Sequence, residues 1–127
     1  MKIFITLGFV IFSFNVTGQD IAGKWFSADS TRIYEITKTQ EGFKGTLFSS
    51  TRKKDTAGAI VLSGIFFNEK KNMYTGTIHS ITDQTSTAVI LKFKKKDSSV
   101  LYLRLWRLFF ANFTLKWYRI VDENNIP

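Results

Sequence analysis

The chain has 127 residues, of which 44% are hydrophobic and 16% aromatic, with no Cys, one His and a formal net charge of +8. This length and apolar content predict one globular domain, since domains commonly have roughly 100–150 residues, and exclude a disordered chain. The absence of Cys excludes disulfides, thiolate metal sites and a Cys nucleophile, and a lone His excludes an imidazole cluster.

Residues 1–18 have the order of a secretory signal peptide. Lys2 is followed by an apolar run that ends at Phe14, and the segment closes with small residues up to Gly18. The run is shorter than the roughly 20 residues that span a bilayer, so we expect cleavage before Gln19 and an exported, periplasmic or secreted protein. A buried first strand and a retained anchor are the alternatives. Cleavage leaves 109 residues with a net charge of +7, because Lys2 is the only charged residue removed.

The rest of the chain has the pattern of an all-β domain. Turn-forming clusters interrupt it every eight to twelve residues, and the segments between them are rich in Ile, Val, Thr and aromatic residues. The predicted strands are 22–27, 32–38, 43–49, 59–67, 73–81, 86–94, 99–109 and 114–121. One mostly apolar face per strand favours a closed, antiparallel, up-and-down β-barrel of about eight strands within residues 19–121, and a seven-stranded β-sandwich is the alternative. Residues 122–127 are predicted to form a frayed C-terminal tail.

The two ends of this predicted barrel carry paired motifs. Gly23-Lys24-Trp25 opens it and Trp117-Tyr118-Arg119 closes it, an arrangement similar to that of lipocalin-like small barrels. With the segments 58–65, 76–78 and 103–119, the chain resembles the exported bacterial family catalogued as domain of unknown function 2147. It departs from that family at 80–81, where Asp-Pro is usual, and at 112–114, where Gly-Arg-Thr is usual. The resemblance implies an exported β-barrel and no particular reaction.

Four residues have the chemistry of candidate structural or catalytic groups. The first and last strands of a barrel are neighbours, so we expect the Arg119 guanidinium to lie on the Trp25 indole. Such a cation–π contact is worth about 0.5–2 kcal/mol and would close the barrel. The alternative is that Trp25 binds the cation of a ligand. His79 lies in a strand with Ser80 on the opposite face, which favours a structural histidine over a general base. Glu35 is expected to pair with a cross-strand Lys rather than to serve as one of two catalytic acids.

Basic residues recur in runs at the predicted turns. There they protect strand edges, or they contact an anionic phospholipid, lipopolysaccharide or another polyanion. The candidate surface contacts are Arg52, Lys53, Lys54, Lys70, Lys71, Lys94, Lys95 and Lys96.

Aromatic residues raise the question of a ligand cavity. A barrel of roughly eight strands has an interior that side chains fill or that holds one small ligand, and a filled interior is favoured. If a cavity exists, Arg104 is the candidate anchor for an anionic head group. The candidate walls are Tyr34, Phe43, Tyr74, Tyr102 and Trp106. One member of each adjacent pair, Phe66-Phe67 and Phe109-Phe110, is expected to be exposed.

Two functions remain open from the sequence. The first is a non-catalytic exported barrel that binds a small apolar or anionic, lipid-like ligand. The second is an envelope module that docks on a protein or an anionic surface through Lys-rich turns and exposed aromatics. An enzyme is disfavoured because one His and no Cys do not supply a nucleophile, a base and an orienting group. We expect a monomer with no cofactor, no nucleic-acid partner and no transmembrane segment after cleavage.

Overall fold

The computed structural model describes residues 20–94, 97–105 and 113–121. They form eight antiparallel strands in one closed barrel, in which each strand pairs with its sequence neighbours and β8 returns to β1. The strands are β1 (Gly23–Ser27), β2 (Arg32–Lys38), β3 (Phe43–Ser50), β4 (Ile60–Asn68), β5 (Met73–His79), β6 (Ser86–Lys94), β7 (Asp97–Leu105) and β8 (Phe113–Arg119). The predicted up-and-down barrel is confirmed, and the sandwich is wrong.

Most strand boundaries lie within two residues of those predicted. β5 is shorter at its end, because the Ser80 N–H donates to the Thr85 carbonyl at 2.8 Å and begins a turn. The predicted signal peptide, the predicted tail, Lys95, Lys96, Trp106 and the pair Phe109-Phe110 lie outside the described residues. No helix in the described ranges is both long and apolar enough to cross a membrane.

The inward-facing side chains form one continuous apolar core. In β7 the residues Leu101, Leu103 and Leu105 are buried, while Tyr102 and Arg104 between them face outward. The core consists of Ile21, Trp25, Tyr34, Ile36, Phe43, Leu47, Val61, Leu62, Ile65, Tyr74, Ile78, Val89, Leu91, Leu101, Leu103, Leu105 and Trp117. No polar or charged residue among those described is buried with it. Stability therefore depends on apolar burial and the strand ladder.

Bulges bend the strands enough to close the sheet. The pairing of β4 with β3 and its pairing with β5 both contain register shifts. In the pairing with β5, the shift lies between Ser63 and Phe66. Gly64 sits in that shift with a φ of 59°, a backbone conformation that side-chain-bearing residues rarely adopt. Across β3 and β4, Gly45 lets Leu62 pack closely, since a Cβ there would lie 3.0 Å from Leu62 Cδ1. These positions fix the curvature of the wall.

The hairpin connections divide the barrel into two ends. We call the end that carries the connections 28–31, 51–59 and 80–85 the upper end. The lower end carries the connections 39–42 and 69–72, together with residues 20–22 and 120–121.

The seam between the first and last strands is closed by Arg119. β1 and β8 pair over only three residues, one of which places Trp25 opposite Arg119. The Arg119 guanidinium carbon lies 4.4 Å from the Trp25 ring centroid. The indole Nε1 donates to the Ile21 carbonyl at 3.0 Å, and Trp25 has no exposed surface. The predicted cation–π closure is confirmed, and the buried ring leaves no room for a ligand cation.

The same guanidinium links two other backbone segments to β8. It donates to the carbonyls of Asp20 at 2.8 Å, Ala22 at 3.0 Å and Ser98 at 3.2 Å. These carbonyls belong to the segment before β1 and to the start of β7. Partial burial lowers the pKa of Arg119 below its ordinary value.

We expect Arg119→Lys to lower the free energy of unfolding by about 1–3 kcal/mol, because an ammonium cannot reproduce the planar fork of donors. Urea denaturation followed by Trp fluorescence measures this loss. Arg104→Lys makes the same change on an exposed outer position and should stay within about 0.5 kcal/mol of the parent. Equal losses in the two variants would contradict the closing role of Arg119.

Candidate functional site

Three of the predicted cavity walls are core residues. Tyr34 stacks on Trp117 with centroids 4.1 Å apart, and Phe43 meets the edge of Tyr74 at 5.5 Å. Burial raises the pKa of both Tyr34 and Tyr74. The rings form two packed pairs inside the barrel.

The other predicted cavity residues do not join them. Tyr102 and Arg104 lie on the outer face of β7, because the smaller, wholly apolar Leu residues of that strand occupy the interior. Their assignment as cavity wall and anchor is therefore wrong. Trp106 lies outside the described residues.

The pair Phe66-Phe67 also differs from the prediction, since both rings are exposed, to 46% and 44%. Phe67 is opposite the inward-facing Tyr74, and the two ring centroids are 4.9 Å apart. Phe67 lies near the lower end of β4, where the barrel wall does not cover it fully.

The predicted basic turns lie at opposite ends of the barrel. Arg52, Lys53 and Lys54 are at the upper end, and Lys70 and Lys71 are at the lower end. The strands β2 to β8 have seven to nine residues, so each runs for roughly 25 Å between the two ends, at about 3.3 Å per residue. A flat membrane or protein surface that contacts one end of the barrel therefore reaches only some of the predicted basic residues.

A different group of cations lies on the outer face of β6, β7 and β8. In register, Lys92 pairs with Tyr102 and Tyr102 with Lys116, and Arg104 occupies the next outward position of β7. The Lys116 ammonium is 5.8 Å from the Tyr102 ring centroid. We call Lys92, Tyr102, Arg104, Lys116 and Tyr118 the basic face.

The basic face has little opposing charge on its own strands. Asp97 is the one acidic residue of β6, β7 and β8, and it lies at the lower end of β7. Its carboxylate accepts hydrogen bonds from the Ser99 N–H and hydroxyl. Sequence reasoning missed this surface because it looked for cations in runs rather than in cross-strand rows.

A cleft of about 610 Å³ opens on the outer surface near the upper end. We call it the His79 cleft, and the connections 51–59 and 80–85 form its two sides. It is lined by Lys54, Thr56, Ala59, Ile60, Ser63, His79, Ser80, Ile81, Gln84 and Ser86.

Both ring nitrogens of His79 are hydrogen-bonded at the floor of this cleft. Nε2 lies 2.7 Å from the Ser63 hydroxyl on β4, and Nδ1 lies 2.7 Å from the Ser86 hydroxyl on β6. The arrangement bridges three strands, in agreement with a structural histidine. Sequence reasoning considered only Ser80 and missed both partners. Across the described ranges, no three His, Asp or Glu side chains come together as a metal site would require.

Glu35 is in the cross-strand position expected of it. It faces outward on β2 opposite Lys24 of β1. The strand register therefore confirms that a cation lies opposite Glu35 on the neighbouring strand.

An ion pair anchors the connection that carries Lys54. Arg32 on β2 contacts both carboxylate oxygens of Asp55, with Nε–Oδ2 at 2.7 Å, and the Ser50 hydroxyl donates to the same Oδ2 at 2.7 Å. The Asp55 side chain is only 3% exposed. The hydrogen bonds from Arg32 and then Ser50 hold the pKa of Asp55 below its ordinary value of 3.8.

The fold and its surface place the protein in the class of small, closed, eight-stranded antiparallel β-barrels. Comparisons with protein-family models, curated proteins and solved structures give no match. The resemblance to the domain of unknown function 2147 family stays a prediction.

The lowered pKa of Asp55 predicts a pH-dependent contribution to stability. A carboxylate whose pKa is depressed by folding stabilises the fold above its unfolded pKa, and this contribution is lost as the pH falls through the folded pKa. We expect Asp55→Asn to destabilise the protein at pH 7, and the difference from the parent to shrink below pH 3.8. Urea denaturation across that range measures it. Glu41→Gln, in an exposed turn, should change the unfolding free energy by less than about 0.5 kcal/mol; a pH-independent Asp55→Asn effect would contradict the ion pair's role.

Proposed function

We propose that this is an exported, non-catalytic binding protein that docks on an anionic phospholipid surface through the basic face. The observation that carries the proposal is the cross-strand row of Lys92, Tyr102 and Lys116, with Arg104 on the next outward position. The only acidic residue on these three strands is at their lower end. Adjacent strands are about 4.8 Å apart, so these cations are close enough to act on one surface together.

The charges and rings of this face suit a lipid headgroup layer. Each Lys or Arg near an anionic membrane contributes about 1 kcal/mol, so three cations supply about 3 kcal/mol. Tyr102 and Tyr118 present rings with polar hydroxyl groups, which favour the boundary between apolar and aqueous surroundings. Phe26 packs beside Tyr118 with centroids 5.7 Å apart and extends the aromatic surface onto β1.

Export is the part of the proposal that depends on residues 1–18 alone. The order of charge, apolar run and small residues in that segment supports it. The basic face does not depend on this segment, because every residue in it belongs to the barrel.

A second candidate function is the binding of a small apolar ligand at the barrel wall. Leu115 on β8 lies opposite the inward-facing Leu103, yet it is 37% exposed. An accessible apolar side chain on the inner side of a strand supports this candidate. Native mass spectrometry of the purified protein would reveal a co-purifying ligand as added mass, and Leu115→Gln should remove it.

We expect Arg104→Glu/Lys116→Glu to weaken binding to vesicles of phosphatidylcholine with phosphatidylglycerol by at least about tenfold, because two attractions become repulsions. Co-sedimentation at about 50 mM salt measures it, and raising the salt to about 0.5 M should release the parent protein. The matched control, Lys44→Glu/Lys70→Glu, makes the same charge change away from the basic face and should lose less than about threefold.

Two results would contradict the docking proposal. One is equal binding to vesicles of phosphatidylcholine alone, which would indicate apolar rather than electrostatic attachment. The other is an equal loss in both double variants, which would indicate that net charge rather than the basic face determines binding.

A further inference from the structure

The His79 cleft has the features of a second binding site, separate from the basic face. We infer that it binds a small organic anion, with a carboxylate or phosphate head on the hydroxyl groups beside His79 and on Lys54, and an apolar part on Ile60 and Ile81. This inference does not rest on the membrane proposal.

The hydrogen-bonding capacity of Ser63, His79 and Ser86 requires a further acceptor. A neutral imidazole has one N–H and one lone pair, so one serine donates to the ring while the other accepts from it. The accepting serine then keeps its own O–H. This holds for either tautomer, and neither Ser63 nor Ser86 has another side-chain partner among the described residues. With a neutral ring, one of the two hydroxyls therefore has no protein acceptor in the described part of the chain and can donate to water or to a ligand in the cleft.

The charge of the lining favours an anion over a cation or a neutral ligand. Lys54 is the charged residue of the lining, and no carboxylate belongs to it. Of the two acids nearest in sequence, Asp55 is paired with Arg32 and also accepts from Ser50. Asp83 lies on the 80–85 connection but outside the lining, and its Oδ1 accepts from the Thr85 N–H and hydroxyl. The Lys54 ammonium and the serine O–H are both hydrogen-bond donors, and the oxygens of a carboxylate or phosphate accept from such donors.

The size and the apolar residues of the cleft limit the ligand to a small molecule. Ligand pockets commonly enclose roughly 300–1,000 Å³, and this cleft has about 610 Å³. Ile60, the first residue of β4, is 53% exposed, and Ala59 and Ile81 also belong to the lining. A short alkyl chain on these residues would remove apolar surface from water.

Both sides of the cleft are held in place before any ligand binds. On one side, the Gly58 N–H donates to the Leu47 carbonyl at 2.8 Å and the Leu47 N–H to the Ala59 carbonyl at 2.9 Å. On the other, Ser80 and Thr85 close the turn through the 2.8 Å backbone bond. A site whose loops are already ordered loses less entropy on binding.

The test is an NMR titration of the folded protein, without lipid, using hexanoate, hexyl phosphate and the neutral isostere hexanamide. At least one anion should shift the backbone resonances of Ser63, His79 and Ser86, at an affinity about two- to fivefold above that of hexanamide, which is the effect expected of one exposed charged contact. Equal affinity for hexanamide, or no shift with either anion at about 10 mM, would overturn the inference.

Variants test the named donors against matched controls. Lys54→Gln should weaken anion binding at least threefold, while Lys53→Gln, an adjacent exposed Lys outside the lining, should leave it unchanged. Ser63→Ala or Ser86→Ala alone leaves one serine that can accept the ring N–H and use its own O–H for the ligand, so each should lose less than the double variant. A double variant that binds as well as the parent, or equal losses at Lys53 and Lys54, would overturn the assignment; spectra of each variant confirm folding.

Discussion

The contact of the Arg119 guanidinium with Trp25 is the constraint on which the rest of the molecule depends. The seam between β1 and β8 is short, with three paired residues, and the chain has no Cys with which to reinforce it. An open sheet would expose both edges and much of its apolar face. By joining the segment before β1, the start of β7 and the end of β8, this side chain reinforces the short backbone ladder that closes the sheet. In the closed barrel, successive residues of each strand then face the core and the outer surface in turn.

The barrel could be predicted because its signals are local or depend only on strand order. Turn clusters located the strands, and the contact of Trp25 with Arg119 follows once the first and last strands are neighbours. The interior assignment of Tyr102 and Arg104 was wrong because aromatic content was taken as a sign of the core. Alternation with Leu101, Leu103 and Leu105 already separated the two faces, and the Leu set, which has no polar atoms to satisfy, occupies the interior.

The two surface sites depend on register, which the sequence does not state. Ser86 meets His79 across a tight hairpin, so its pairing could have been inferred from the 80–85 turn. Ser63 reaches the same ring only because of the bulge that follows it, and a shift of one residue would turn its hydroxyl into the barrel. The basic face likewise depends on register. Lys92, Arg104 and Lys116 lie on three strands, and they are neighbours only because of how β6 pairs with β7 and β7 with β8.

Ionic strength distinguishes the two kinds of recognition that this outer surface offers. The basic face acts through cations on an open strand surface, whose attraction to a membrane is screened beyond a Debye length of about 10 Å at 0.1 M salt and about 3 Å at 1 M. The His79 cleft acts through short hydrogen bonds from a serine hydroxyl beside the ring, and salt screening affects these much less. High salt should therefore release the membrane while weakening anion binding only through Lys54. Because Lys54, Arg104 and Lys116 are not core residues, substitutions at these positions remove no side chain from the packed interior of the barrel.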